Sequence, residues 1–270
     1  MQVKNLMSEN LITIDKDQSL TDGLKLLRKN NISRLPVVNT NSNNEKELVG
    51  IVSERDIARK LGSSKYGTMP PSRFHISSVM VKDVIAVNES MELVDVANLM
   101  LEKGIGSVPV ESEDSMVGIV SKADFVTMCT TKAFEKILVK DYMNTDIKTI
   151  YSDERLVHAR RILIDNKIGR LPVLDDDEIV GILTSKDIIR CLISFRKNVP
   201  EKHQQAQIKN ITVNDIMSTN PKTISQDANI LEVANILMET GYNGLPVLDD
   251  NNQLIGIITQ TDLLKIFIES

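Results

Sequence analysis

The sequence predicts an α/β (α+β) fold of four repeats, each running strand, helix, strand, strand, helix. One short phrase recurs four times: Gly50-Ile-Val-Ser53-Glu-Arg-Asp56, Gly118-Ile-Val-Ser121-Lys-Ala-Asp124, Gly181-Ile-Leu-Thr184-Ser-Lys-Asp187 and Gly256-Ile-Ile-Thr259-Gln-Thr-Asp262. Each phrase is preceded by a Met and a Pro at a constant Met-to-Pro distance of 29 residues, from Met7 to Pro36, Met80 to Pro109, Met143 to Pro172 and Met217 to Pro246. Only the Pro-to-Gly distance varies, at 14, 9, 9 and 10 residues. Constant spacing pins the elements and places a hairpin loop at the variable point, longest over residues 39–47. Alternate repeats match best, since Ser33-Arg34-Leu35-Pro36 and Gly169-Arg170-Leu171-Pro172 share an Arg where the other two repeats have Ser107 and Gly244.

Each element follows from local pattern. After each Met comes a short extended stretch, at Leu11–Ile14, Val84–Val87, Lys148–Ile150 and Lys222–Ile224. An amphipathic helix follows, in which Leu93, Val96, Ala97, Met100 and Leu101 recur at three- and four-residue steps and so form one apolar stripe. The helices end near Asn30-Asn31, Lys103-Gly104, Asn166-Lys167 and Thr240-Gly241, terminators of the kind that end such helices. The Leu-Pro-Val strand and the Gly-Ile strand come next, and a second helix begins at the Asp. Thr127–Leu138 reads as a continuing helix, Lys65–Arg73 as a loop and Glu201–Gln207 as a polar, helix-tolerant connector.

A chain of 270 residues holds about two domains at roughly 150 residues each, and a single repeat would bury too little surface to be stable alone. The expected repeats are 1–64, 74–132, 137–196 and 211–270, paired as 1–132 and 133–270. Aromatics make up 3% of the chain, so the core is aliphatic and no stacking platform for single-stranded nucleic acid stands out. A net charge of -5 argues against a polyanion-binding face. No apolar run reaches the 18 to 20 residues or so of a membrane span, and a cytoplasmic location is expected. Cys129 and Cys191 read as reduced thiols in helix faces.

The Leu-Pro-Val, loop, Gly-Ile-apolar-Ser/Thr-x-x-Asp pattern, recurring at fixed spacing, resembles the cystathionine β-synthase (CBS) domain over nearly the whole chain. Two tandem pairs of such domains, each pair a Bateman module, resemble stand-alone archaeal CBS proteins and the γ subunit of AMP-activated protein kinase. The resemblance implies two pseudo-symmetric modules, adenine-nucleotide binding in clefts between paired repeats, and a regulatory role without catalysis.

The residues allow that chemistry. An Asp in the first helical turn can accept hydrogen bonds from vicinal ribose hydroxyls, which points to Asp56, Asp124, Asp187 and Asp262. Ser53, Ser121, Thr184 and Thr259 offer a hydroxyl to ribose or phosphate. Arg34, Arg55, Lys122, Arg170 and Lys186 are the cations placed to meet phosphate. Ile12, Thr13, Ile85, Ala86, Thr149 and Thr223 lie in the short extended stretch before each first helix, which with the Leu-Pro-Val strand could form an adenine slot. The phrase also reads as a helix cap, in which hydroxyl and carboxylate satisfy each other's backbone amides, and the two roles can coexist. The expected ligand is AMP, ADP or ATP, with S-adenosylmethionine or a ligand-free scaffold as alternatives. No catalytic cofactor and no metal are expected, since His75, His158 and His203 share no repeat position and read as surface residues. A protein partner is expected, its identity open, and a homodimer is open. The four methionines read as apolar plugs.

Overall fold

The computed structural model describes residues 1–61, 71–113 and 115–270. In the first repeat β1 (Ile14–Asp15) leads to α1 (Leu20–Lys29), the hairpin β2 (Arg34–Thr40) and β3 (Lys46–Ser53), and α2 (Glu54–Leu61). The second runs through β4 (Val87–Asn88), α3 (Leu93–Glu102), β5 (Ser107–Ser112), β6 (Ser115–Ser121) and α4 (Lys122–Met128). A short α5 (Val139–Tyr142) precedes the third, which comprises β7 (Ile150–Tyr151), α6 (Leu156–Asp165), β8 (Arg170–Asp175), β9 (Glu178–Thr184) and α7 (Ser185–Asn198). A connecting α8 (Glu201–Gln207) leads to β10 (Ser218–Thr219), β11 (Ile224–Ser225), α9 (Ile230–Thr240), β12 (Gly244–Leu248), β13 (Leu254–Thr259) and α10 (Gln260–Glu269). The fourfold mixed α/β plan expected from the spacing is present.

In every repeat the short first strand pairs parallel with the Leu-Pro-Val strand, which pairs antiparallel with the Gly-Ile strand. Each hairpin shifts register at the same place, between Val37 and Val38, Val110 and Glu111, Val173 and Leu174, and Val247 and Leu248. The extra residue lies immediately before the Gly of the phrase, so a bulge bends the third strand there. The helices start where polar caps allow: Ser19 Oγ accepts from the Asp22 amide at 3.2 Å and Asn229 Oδ1 from the Glu232 amide at 2.9 Å. Gly241, at φ 67°, closes α9 in the left-handed conformation that an L side chain disfavours.

Four expectations change. The first strands begin at Ile14, Val87, Ile150 and Ile224, later than the apolar stretches, because only there does the chain run beside the Leu-Pro-Val strand. The long first hairpin keeps β structure through Thr40 and from Lys46, leaving Asn41–Glu45 as its turn. The second helices begin directly after the hydroxyl residue, two positions before the Asp, since the hydroxyl is the cap. The stretch 127–138 is broken: α4 ends at Met128, a 3-10 turn covers Lys132–Lys136, and α5 starts at Val139. Of the loop expected over 65–73, residues 65–70 lie outside the described residues, as do the last residues of the 1–64 boundary, and Pro71–Arg73 form a 3-10 turn.

The lead-in segments are exchanged within each sequence pair. Ser8 exchanges both backbone hydrogen bonds with Ile119, at 2.9 and 3.1 Å, and Val81 does the same with Ile51 at 2.9 Å each. Asn144 pairs likewise with Ile257, and β10 pairs with β9. Each exchange seats the preceding Met on the Gly of the receiving sheet. A Cβ on Gly50 would lie 2.7 Å from Met80 Sδ, one on Gly256 2.6 Å from Met143 Sδ and one on Gly181 2.5 Å from Met217 Sδ, and Gly118 is equally closed by Met7. The methionines are therefore the plugs expected, and the glycines are the seats they require.

The chain packs as two compact units, one of Met1–Leu11, Ile85–Ile147 and Lys222–Ser270, the other of Ile12–Val84 and Lys148–Pro221. The latter holds the cores of the first and third repeats in one cluster, where Leu35, Val52, Ile57 and Leu61 join Leu171, Leu183, Ile188 and Leu192. There Arg160 Nη2 donates to Arg59 O at 2.8 Å, and Arg196 Nη2 donates to Leu61 O. Two cations from the third repeat thus satisfy carbonyls at the C-terminal end of α2. In the unit of the second and fourth repeats, Leu264 of α10 is buried in the core around α3, and Val126 of α4 and Cys129 just past its end in the core around α9. Both cysteines are free, and burial pushes the Cys129 thiol up to about 12.

Gly181→Ala would drive a methyl into Met217 Sδ and the Ser218 carbonyl and should cost about 1–3 kcal/mol. The Met217→Ala/Gly181→Ala double variant should lose less than the sum of the singles. Denaturant unfolding checks this, and strict additivity would show that the sulfur does not rest on that glycine.

Candidate functional site

Antiparallel register builds the same local arrangement four times. The residue two before the Pro stands directly across the hairpin from the hydroxyl residue, as Arg34 opposite Ser53, Ser107 opposite Ser121, Arg170 opposite Thr184 and Gly244 opposite Thr259. Directly opposed residues carry their side chains on one face of the sheet. Each first helix turn then adds an Asp to that face.

The hydroxyl and the Asp cap the helix in all four copies. Asp56 Oδ2 accepts from the Ser53 amide at 3.1 Å and from Ser53 Oγ at 2.5 Å. Asp124 Oδ2 accepts from the Ser121 amide and hydroxyl at 2.7 Å each. The corresponding distances are 2.9 and 2.6 Å for Asp187 with Thr184, and 3.0 and 2.8 Å for Asp262 with Thr259. Reciprocal bonds of this kind satisfy amides that a helix start otherwise leaves open. The cap occupies Oδ2, so it is Oδ1 that distinguishes the copies. Asp56 Oδ1 lies 3.7 Å from Arg59, Asp187 Oδ1 3.8 Å from Arg190, and Asp262 Oδ1 accepts from Lys265 Nζ at 3.0 Å. In the second repeat Thr127 holds the equivalent position and donates to the Asp124 carbonyl at 2.6 Å, so this carboxylate has no cation partner among the described residues. Burial pushes the Asp124 carboxyl above the usual range.

The five cations are unequal. Arg170 Nη1 is shut off from solvent with no hydrogen-bond partner, and burial brings the guanidinium down to about 10. Arg34 is also lowered, first by burial and then by Arg55, against the attraction of Asp56 and Glu54. The other three reach a different repeat of the same unit. Arg55 Nη1 donates to Lys167 O at 2.6 Å, Lys186 Nζ lies 3.8 Å from Glu54 Oε1, and Lys122 Nζ donates to Thr261 Oγ1 at 2.9 Å. Ile12, Thr13, Ile85, Ala86, Thr149 and Thr223 are half-buried in the extended residues that precede each first strand.

Glu54 was not among the sequence-derived site residues, although it sits between Arg34 and Lys186 with its carboxyl raised by burial. An acidic residue at a first helical position reads as ordinary helix chemistry, which hid it. Ser107 was noted only as the absence of an Arg, yet its hydroxyl is buried with no partner. Among the described residues no cluster of His, Cys, Asp or Glu could hold a metal ion, and no helix is long and apolar enough to cross a membrane. The three histidines are exposed.

The profile of the CBS domain matches residues 3–63, 76–129, 139–194 and 213–269. The chain belongs to the CBS-domain family. This CBS-domain chain is 27% identical over 277 residues to the uncharacterized protein MJ1225 of Methanocaldococcus jannaschii, covering 98% of both. The crystal structure of MJ1225, a protein suggested as an archaeal homolog of γ-AMPK, matches with a TM-score of 0.86 at 26% identity, covering 99% of this chain and 100% of that one. A Pyrococcus horikoshii structure matches with a TM-score of 0.66 at 24% identity over 99% of this chain and all of its own, a likeness of fold. The uncharacterized MJ1404 of M. jannaschii is 27% identical over 269 residues, which span 97% of this chain and 61% of that protein.

Because the folded protein holds a proton on Asp124 above the ordinary value of 3.8, this residue makes the protein more stable as pH falls towards that value and less stable once both states are ionised. Asp124→Asn keeps an acceptor for the cap but removes the titration. Its stability relative to the natural protein should therefore improve from pH 4 to pH 7, as urea midpoints at the two pH values would read.

Proposed function

We propose that this CBS-domain chain is a non-catalytic regulatory protein that binds AMP, ADP or ATP and passes a ligand-dependent rearrangement to a protein partner. CBS-domain proteins are generally regulatory, and the Arg170 side chain carries the nucleotide reading here. An enclosed guanidinium with an unpartnered nitrogen, on the same sheet face as Thr184 and Asp187, is costly unless an anion meets it. A phosphate supplies that anion, while Asp187 Oδ1 is the atom that could take ribose hydroxyls beside it. Arg34, Ser53 and Asp56 repeat the arrangement. The Lys186–Glu54 and Arg55–Lys167 contacts join the two copies within one unit, so charge bound at one would be felt at the other. Such coupling is what a sensor requires.

The scaffold reading is favoured by one observation, the closed caps at all four Asp residues, each complete without ligand. Titration calorimetry of the full chain with AMP, ATP and S-adenosylmethionine separates the readings. Phosphate-dependent heat is expected, and no heat with any of the three would leave the scaffold. Arg170→Met should weaken AMP about tenfold to a hundredfold, the span of hydrogen bonds to a charged group. In the ligand-free protein the same change should raise the unfolding temperature, because it removes a buried unpaired charge. Unchanged AMP affinity in this variant would remove Arg170 from the site.

A further inference from the structure

The Ser107, Ser121 and Asp124 arrangement has the geometry of the arginine-bearing copies and the opposite electrostatics. Where Arg34 and Arg170 place a guanidinium, the second repeat has a hydroxyl that is 6% exposed and has no hydrogen-bond partner. Ser107 stands directly across from Ser121, so its Oγ shares a sheet face with the Ser121–Asp124 cap. The residue before Asp124 is Ala123, where the first and third repeats have Arg55 and Lys186. Lys122 donates to Thr261 of the fourth repeat, and Thr127 replaces the basic residue that pairs with Oδ1 in the other three copies. A phosphate placed here would meet an uncompensated carboxylate. A ribose-bearing ligand without phosphate would meet an acceptor in Asp124 Oδ1 and a hydroxyl in Ser107 that can both donate and accept.

We infer that the second repeat holds a site for a phosphate-free nucleoside, held by Ser107 and Asp124, distinct in ligand class from the arginine-bearing sites of the first and third repeats. This rests on the nucleotide reading for the ribose role of the Asp residues. Discrimination comes from two opposed arrangements: an enclosed guanidinium nitrogen that loses energy without an anion, and a half-buried carboxylate without a cation that repels one. One chain would then report two adenosyl pools, phosphorylated and not.

The test is titration of the full chain with adenosine and AMP, singly and then AMP after saturation with adenosine. Saturating adenosine should leave most of the AMP heat in place. Ser107→Ala should weaken adenosine about tenfold, the worth of one hydrogen bond, leave AMP affinity as it was, and raise the unfolding temperature of the ligand-free protein. Ser107→Thr keeps the hydroxyl and should retain adenosine binding, which guards against a mere packing defect. Adenosine binding that is unchanged in Ser107→Ala, or that AMP abolishes completely, would overturn the inference. If AMP binds and adenosine does not, the second-repeat site alone fails. If adenosine binds through Ser107 and AMP does not, the site stands and the nucleotide reading fails.

Discussion

A methionine sulfur lying against a glycine is the contact on which the sheets of this protein depend. A three-stranded sheet with a two-residue first strand exposes the backbone of its third strand, and an exposed strand edge invites foreign pairing. Here residues of a neighbouring repeat hydrogen-bond that edge, at Ser8 on Ile119, Val81 on Ile51 and Asn144 on Ile257. The segment can approach only because the preceding methionine finds no side chain at Gly118, Gly50 or Gly256. The bulge before each glycine turns the strand at the same place, and the strand then delivers the hydroxyl that caps the next helix. Seat, bulge and cap are steps along a few residues, which explains why their spacing does not vary.

The cap and the proposed ligand site share a carboxylate without competing for the same oxygen. Oδ2 is fixed by the amide and hydroxyl of the capping residue, which holds the aspartate in one rotamer and aims Oδ1. A side chain already immobilised for structural reasons loses little entropy on binding. The opposed strand then sets the character of each copy through one residue, an arginine, a serine or a glycine. The fold supplies a constant acceptor, and the variable position across the hairpin supplies charge.

Repeat number, hairpin position and helix ends were legible because they depend on residues close in sequence. Asn30, Lys103, Asn166 and Gly241 close the first helices as the pattern implied. Strand onset was less legible, since the apolar stretch at Leu11 begins before the chain comes alongside Val37. The break at 129–138 escaped notice because a helical apolar pattern continues through a 3-10 turn. The four aspartates, their hydroxyls and the arginines were singled out from the repeat alone, and the structure gathers them at one end of each hairpin. What the sequence could not give was distance between repeats, and so Glu54, Thr261 and the Lys167 carbonyl, each meeting a cation from another repeat, were invisible. The compact units gather repeats one with three and two with four, a grouping that the shared Arg34 and Arg170 hinted at without showing contact.

The two kinds of bond between repeats have a consequence for how the chain comes into being. Segment exchange ties neighbours in sequence, whereas the buried cores join alternate repeats. No cut between residues 132 and 133 respects both, since it would strip Leu61 and Ile57 of Leu192 and Ile188, and Phe125 of Phe267. During synthesis the unit of the first and third repeats has all its residues once position 221 has emerged, while the other waits for residues 222–270, α10 among them. The first repeats made must therefore hold apolar faces in reserve until their later counterparts arrive.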